Sequence, residues 1–184
     1  MKNGSEYYNR FLSGDENAID EIVKIYKNGL ILYIYSIIGD YQKAEELTID
    51  TFVKLFTSKP KFKGEGSFKT WLYSIGRNTT CDYMRKNKKL NEVSLEDYYE
   101  ISDEINIEDN YNKAEYNIIL KKALKKIKPE YAQALYLIYF ENFNHDETAK
   151  IMKKNNRQII NLVFRAKNAL RKELEKEGFV YDGL

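Results

Sequence analysis

The chain has 184 residues, enough for one domain or two small ones, and a net charge of +2, so global electrostatics alone do not call for a polyanionic partner. A single cysteine, Cys81, excludes an internal disulfide, and a single histidine, His145, with no cysteine beside it, argues against a zinc site. Two prolines, few alternating apolar runs and many stripes of helical period indicate an all-α protein.

In chain order, the polar, aromatic-flecked segment around Tyr7, Tyr8, Phe11 and Leu12 starts a helix, and its start, MKNGSEYYNRF, lacks the apolar core of a signal peptide. Asp15 is placed to cap the next helix, whose stripe is Ala18, Ile19, Ile22, Val23, Ile25 and Tyr26. The run Leu30 to Ile38 is apolar nearly all round, which predicts a central position. It falls far short of the about 20 apolar residues of a membrane span, and Gly39-Asp40 breaks it. From Gln42 to Lys59, residues Ala44, Leu47, Thr48, Thr51, Phe52, Leu55 and Phe56 share one face, with Glu45, Glu46, Asp50 and Lys54 largely opposite. Behind Pro60 comes a glycine-bracketed loop, Lys63-Gly64-Glu65-Gly66-Ser67. Ser67 can cap the helix that follows, whose face is Phe68, Trp71, Leu72, Ile75 and Thr79. That helix runs into a basic end with Arg77, Asn78, Asp82, Tyr83, Arg85, Lys86, Lys88 and Lys89. A shaped loop, an aromatic helix and a basic tail suit a flat, negatively charged ligand such as single-stranded nucleic acid: bases stack on rings, and phosphates attract Lys and Arg.

Composition then turns acidic. Between Asn91 and Glu115 many acids stand against Lys113 alone, with no sustained helical stripe, which reads as a flexible acidic linker. The helical pattern resumes with Ile118, Ile119, Leu120, Ala123, Leu124 and Ile127 and stops at Lys128-Pro129. A helix follows from Glu130 to Glu141, then a short one from Asn144 to Met152 capped near Asn144. After the turn Lys153-Lys154-Asn155 a longer helix starts at Asn156, buried through Ile159, Leu162, Val163, Ala166, Ala169 and Leu170. Two helices of these lengths about a three-residue turn make a helix-turn-helix. The expected architecture is two small helical domains, 1–90 and 115–184, joined by the acidic linker 91–114.

Phe62, Gly64, Phe68, Trp71, Leu72, Ile75, Arg77, Asn78, Asp82 and Arg85 stand in the register of a known pattern. The stretch resembles the promoter-melting region of extracytoplasmic-function (ECF) sigma factors, of the sigma-70 family of bacterial RNA polymerase subunits. Ala44, Glu45, Glu46, Leu47, Asp50 and Phe52 similarly resemble the sigma helix that docks on the clamp coiled coil of the polymerase largest subunit. Lys43 there stands where an acid is usual and Ile49 where Gln is usual. Glu147, Ala149, Ile159, Arg165, Ala166 and Leu170 match the family's last domain, while Thr148, Lys153 and Lys154 depart from it. Lys153 takes the place of the usual turn glycine, and Asn155 is a candidate for any left-handed backbone position.

The resemblance implies a cytoplasmic initiation factor with no catalytic residue and no cofactor. Its implied partners are core RNA polymerase (the clamp and the flap of the second-largest subunit), promoter DNA and, where the family supplies one, an anti-sigma factor. It implies contact with the −10 element by Lys63, Gly64, Glu65, Ser67, Trp71, Arg77, Asn78, Asp82 and Arg85. Contact with the −35 element falls to Arg157, Gln158, Ile160, Asn161, Phe164 and Arg165, and polymerase docking to Glu45, Glu46, Asp50 and Phe52. Arg suits guanine edges and Gln or Asn suits adenine. The alternative is a stand-alone helix-turn-helix regulator that never joins the polymerase.

Overall fold

The structure, a computed structural model, describes residues 4–64, 66–90 and 123–176. The acidic linker therefore lies outside the described residues. Among those residues there are helices and no strands. They are α1 (Gly4–Leu12), α2 (Asn17–Ile38), α3 (Tyr41–Ser58), α4 (Phe68–Leu90), the end of a helix at 123–126, α5 (Pro129–Leu135) with a π turn (Tyr136–Phe140), α6 (His145–Met152) and α7 (Asn156–Lys176).

The apolar run expected at the centre is the central helix. α2 buries Ala18, Ile22, Tyr26, Leu30, Ile31, Tyr33, Ile34 and Ile37, and α1, α3 and α4 all pack on it. Asp15 accepts a hydrogen bond from the Asn17 backbone N–H at 3.1 Å. At its other end Gly39 takes φ 75° and its N–H returns to the Tyr35 carbonyl. This left-handed stop is one that glycine makes without a Cβ clash. Asp40 then caps α3 by accepting from the Lys43 N–H at 3.0 Å. Thr48 and Thr51 are fully buried on α3, and each hydroxyl donates to its own helix at 2.7 Å, to the Ala44 and Leu47 carbonyls.

A ring cluster of Tyr8, Phe11, Phe56, Phe62, Phe68 and Trp71 closes the N-terminal half around the loop before α4. The Tyr8 hydroxyl donates to the Pro60 carbonyl at 2.8 Å and fixes where that loop departs.

In the C-terminal half, Pro129 is the first residue of α5, where its missing N–H is not needed. The helix expected to reach Glu141 widens instead into the π turn, with the Glu141 N–H on the Tyr136 carbonyl at 3.1 Å. α6 starts with a full capping box. The Asn144 side chain accepts from the Glu147 N–H at 2.9 Å, and the Glu147 carboxylate accepts from the Asn144 N–H at 3.1 Å. α6 stops in a Schellman arrangement with Lys153 left-handed at φ 54°, and the Lys154 N–H bonds the Ala149 carbonyl. The left-handed position expected at Asn155 thus falls on Lys153. Asn155 instead caps α7, exchanging bonds of 2.8 and 2.9 Å with Gln158.

The two halves do not stand apart. Ala134, Leu137, Phe143, Ala149, Ile151, Met152, Ile159, Leu162 and Val163 belong to the same apolar core as Tyr8, Leu30, Tyr33, Phe68 and Tyr73. A smaller cluster of Ile127, Ala132, Leu135 and Ala166 holds α5 to α7. Fully burying one Leu, Ile or Phe contributes about 1.5–3 kcal/mol, so this shared core is a large fraction of the cohesion of the molecule.

Candidate nucleic-acid interface

α4 carries the first surface. Its N-terminus is built by Ser67, whose hydroxyl accepts from the Thr70 N–H at 3.1 Å. Gly64 (φ 75°) and Gly66 (φ 105°) shape the loop before it, and Lys63, Gly64, Gly66 and Ser67 are exposed. Glu65 lies outside the described residues. Trp71, Asn78, Asp82 and Arg85 share one stripe of α4 by helical geometry, and Arg85 pairs with Asp82. Trp71 is half-buried against Tyr8, Phe62 and Phe68, so its ring braces the loop from behind.

Arg77 departs from the group. It sits about 100° round the helix from Asn78, and its Nε is buried with no hydrogen-bond partner among the described residues. Its charge acts on Tyr33, whose hydroxyl is likewise buried and without a partner among the described residues.

α7 carries the second surface. Ile159, Leu162, Val163 and Ala166 are buried, while Arg157, Gln158, Ile160, Asn161, Phe164 and Arg165 are all exposed, Phe164 by 67%. The Gln158 carboxamide oxygen is engaged by the Asn155 N–H. Glu130, Lys154, Gln158, Asn161, Leu162 and Arg165 line a shallow cleft of about 280 Å³.

On α3, Glu46 and Asp50 are exposed, Glu45 is half-buried and Glu46 pairs with Lys43. Phe52 is 6% exposed and stacks on Phe56 inside the core, so it supports this face from beneath. The apolar side chains α3 does present are Ile49 and Val53, 56% and 52% exposed and one turn apart. Val53 was not singled out in the sequence, although its place four residues after Ile49 puts it on the same face.

A third feature is the seam between the halves. The Lys69 ammonium of α4 lies 2.7 Å from the Glu141 carboxylate, donates to the Glu141 carbonyl at 2.8 Å and sits over the Phe143 ring at 4.7 Å. The Tyr136 hydroxyl is shared between Glu141 at 3.0 Å and the Gly29 carbonyl at 3.3 Å. The Thr70 hydroxyl donates to Glu147 at 3.0 Å, and Ser67 reaches the same oxygen at 3.3 Å. Burial, reinforced by the Glu141 carboxylate, pushes the Tyr73 and Tyr136 phenols well above their ordinary range, and burial does the same to Tyr33. Nothing in the residue pattern had pointed to these contacts. The Asn144-x-x-Glu147 capping pattern was readable, but not that the same carboxylate reaches α4.

Among the described residues no cluster of His, Cys, Asp or Glu has the makings of a metal site, and no helix is long and apolar enough to cross a membrane.

Residues 22–90 match the family model for sigma-70 region 2, and residues 118–170 match that for sigma-70 region 4. The chain is 29% identical over 155 residues to the ECF RNA polymerase sigma factor SigM of Bacillus subtilis (strain 168), covering 84% of this chain and 93% of that protein. It is 26% identical over 170 residues to SigW of the same organism, covering 88% and 91%. The solved structure of the sigma factor RpoE in complex with the anti-sigma factor NepR from Bartonella quintana shares the fold. Its TM-score is 0.70 at 24% identity, over 85% of this chain and 96% of that one. With region 2 ending in the loop and α4, and region 4 ending in the helix-turn-helix of α6 and α7, the chain belongs to the ECF group of the sigma-70 family, the promoter-recognising transcription initiation factors.

Proposed function

We propose that the chain binds core RNA polymerase through α3 and directs initiation by reading a −10 element with the loop and outer stripe of α4 and a −35 element with α7. The observation that carries this reading is the division of α7. Its apolar stripe is spent on the core, while Arg157, Asn161 and Arg165 are exposed on the outer side. Such a helix can enter a major groove, where Arg and Asn match guanine and adenine edges. On α4, Asn78 and the Lys63–Ser67 loop would capture an unstacked base, and Arg85 would hold phosphate. Flipping a base costs a few kcal/mol, which stacking and ionic contacts must offset. Arg77, half-buried with its Nε enclosed, supports α4 from inside.

The chain performs no catalysis in this reading: the polymerase supplies the chemistry, and the factor works in the cytoplasm beside it. Its functional units are 1–90 for docking and melting, 91–114 as linker and 115–184 for upstream recognition and the polymerase flap. An anti-sigma factor is a further partner in this reading, by likeness to the RpoE complex. The exposed Ile49–Val53 pair favours polymerase docking over a stand-alone regulator, which has no use for an apolar patch on α3.

Run-off transcription with purified core RNA polymerase and fragments of the source genome tests the proposal. Discrete transcripts that require the protein are expected. A chain that binds DNA but fails to retain core polymerase in a pull-down would be a stand-alone regulator.

A further inference from the structure

Between Asn156 and Lys172, α7 carries five cations, Arg157, Arg165, Lys167, Arg171 and Lys172, and no acid. In the middle of this positive surface stand two large apolar side chains, Ile160 and Phe164, 50% and 67% exposed. They are four residues apart and therefore neighbours on the helix. By helical geometry Phe164 points within about 30° of the direction opposite the buried stripe of Ile159, Leu162, Val163 and Ala166. Asn161 lies beside it on the outer line, with Ile160 on one flank and Arg165 on the other. A lone exposed apolar residue is ordinary. A pair at the centre of a face that is otherwise cationic or amide marks a contact surface.

The surroundings of the pair select the partner. An apolar protein patch would match the two side chains and leave the ring of cations unanswered. Duplex DNA answers both. Its phosphates attract the cations, and its major groove offers one apolar group, the thymine C5 methyl. The other base edges there are hydrogen-bond donors and acceptors. An apolar side chain laid over one of them strips its water and returns no bond. Ile160 and Phe164 are spaced about 6 Å along the helix, and successive base pairs about 3.4 Å along the duplex. The two side chains therefore meet base pairs one or two steps apart.

We propose that Ile160 and Phe164 are specificity-determining residues that read thymine methyl groups, so that the upstream element carries two thymines one or two base pairs apart. Asn161, between them along the helix, matches a neighbouring adenine. This rests on the reading above that α7 enters a major groove, and it adds which bases α7 selects there.

The test uses the full chain with core polymerase on duplexes randomised across the upstream element, and the transcribed templates are sequenced. Two thymines at fixed positions are expected. Each is then replaced by uracil, which removes the methyl and keeps every hydrogen-bonding group of the base pair. Each replacement should weaken DNA binding about fourfold, the effect of losing one buried methyl-sized group. Ile160→Ala and Phe164→Ala should each become insensitive to uracil at one of the two positions and stay sensitive at the other. Circular dichroism confirms the fold of each variant, and the uracil series on wild type needs no variant at all. The proposal is overturned if the selected element lacks the thymine pair, if wild type binds uracil as tightly as thymine, or if both variants respond to uracil as wild type does. Weakened retention of core polymerase by the variants, with uracil sensitivity unchanged, would make the pair a protein-docking face instead. If wild type neither retains core polymerase nor yields transcripts, the sigma-factor reading falls. The same selection and uracil series on the chain alone then decide the methyl reading, and a chain that selects no duplex overturns it.

Discussion

Phe52 and Ile49 stand three residues apart on α3 and do opposite work. Phe52 faces the core and Ile49 faces out. Phe52→Ala should lower folding stability by about 3–5 kcal/mol, read by thermal unfolding. Ile49→Asp should leave the unfolding midpoint nearly unchanged and weaken core polymerase binding by about 1–2 kcal/mol, roughly tenfold, read by titration of labelled core. Asn78 allows a comparable separation on α4: Asn78→Ala should abolish promoter opening, followed by permanganate reactivity of unpaired thymines, with the helix content intact. The helical period put Phe52 on the apolar stripe of α3, the resemblance gave it a docking role as well, and the structure leaves it 6% exposed. Arg77 reads from the family motif as a ligand contact, and the structure leaves it half-buried with its Nε enclosed.

At the scale of the element, the helix-turn-helix shows a local rule kept by other means. The turn that family members make with glycine is made here by Lys153 at φ 54°, and two Schellman bonds hold it. A left-handed conformation strains an L residue by roughly 1–2 kcal/mol, partly offset in a glycine variant by extra freedom of the unfolded chain. Lys153→Gly should therefore stabilise the protein by about 1 kcal/mol and raise its melting temperature by roughly 2–4 °C, without altering upstream-element preference. Capping was legible from residue type at Asp15, Ser67 and Asn144, which all sit just before apolar stripes, while the cap at Asp40 had read only as a break. The π turn after α5 was not. Its residues Tyr136 and Leu137 pack against the other half, and a periodicity count within α5 contains no such term.

At the scale of the whole molecule, buried phenols make cohesion depend on alkali. The folded-state pKa values of Tyr33, Tyr73 and Tyr136 are raised, so these groups stay neutral where the unfolded chain, with tyrosine near pH 10, would ionise. Their contribution is fully present below about pH 10 and is lost as pH rises beyond it. Thermal unfolding followed from pH 8 to 11 should show a steep fall above about pH 10, and Tyr136→Phe should make the fall shallower, with one titrating phenol fewer.

The sequence by itself determined the all-helical class, the order of the helices, the outward face of α7 and the family, because each depends on local period, caps and spacing along one element. Only the tertiary structure decided that the two halves share one core, that Phe52 is buried while Ile49 and Val53 are offered, and that Lys69 and Thr70 answer to Glu141 and Glu147. The physical reason lies in range. Residues about 70 to 80 positions apart meet at the seam, and short-range pattern carries no information on which of many exposed carboxylates a given ammonium or hydroxyl will find.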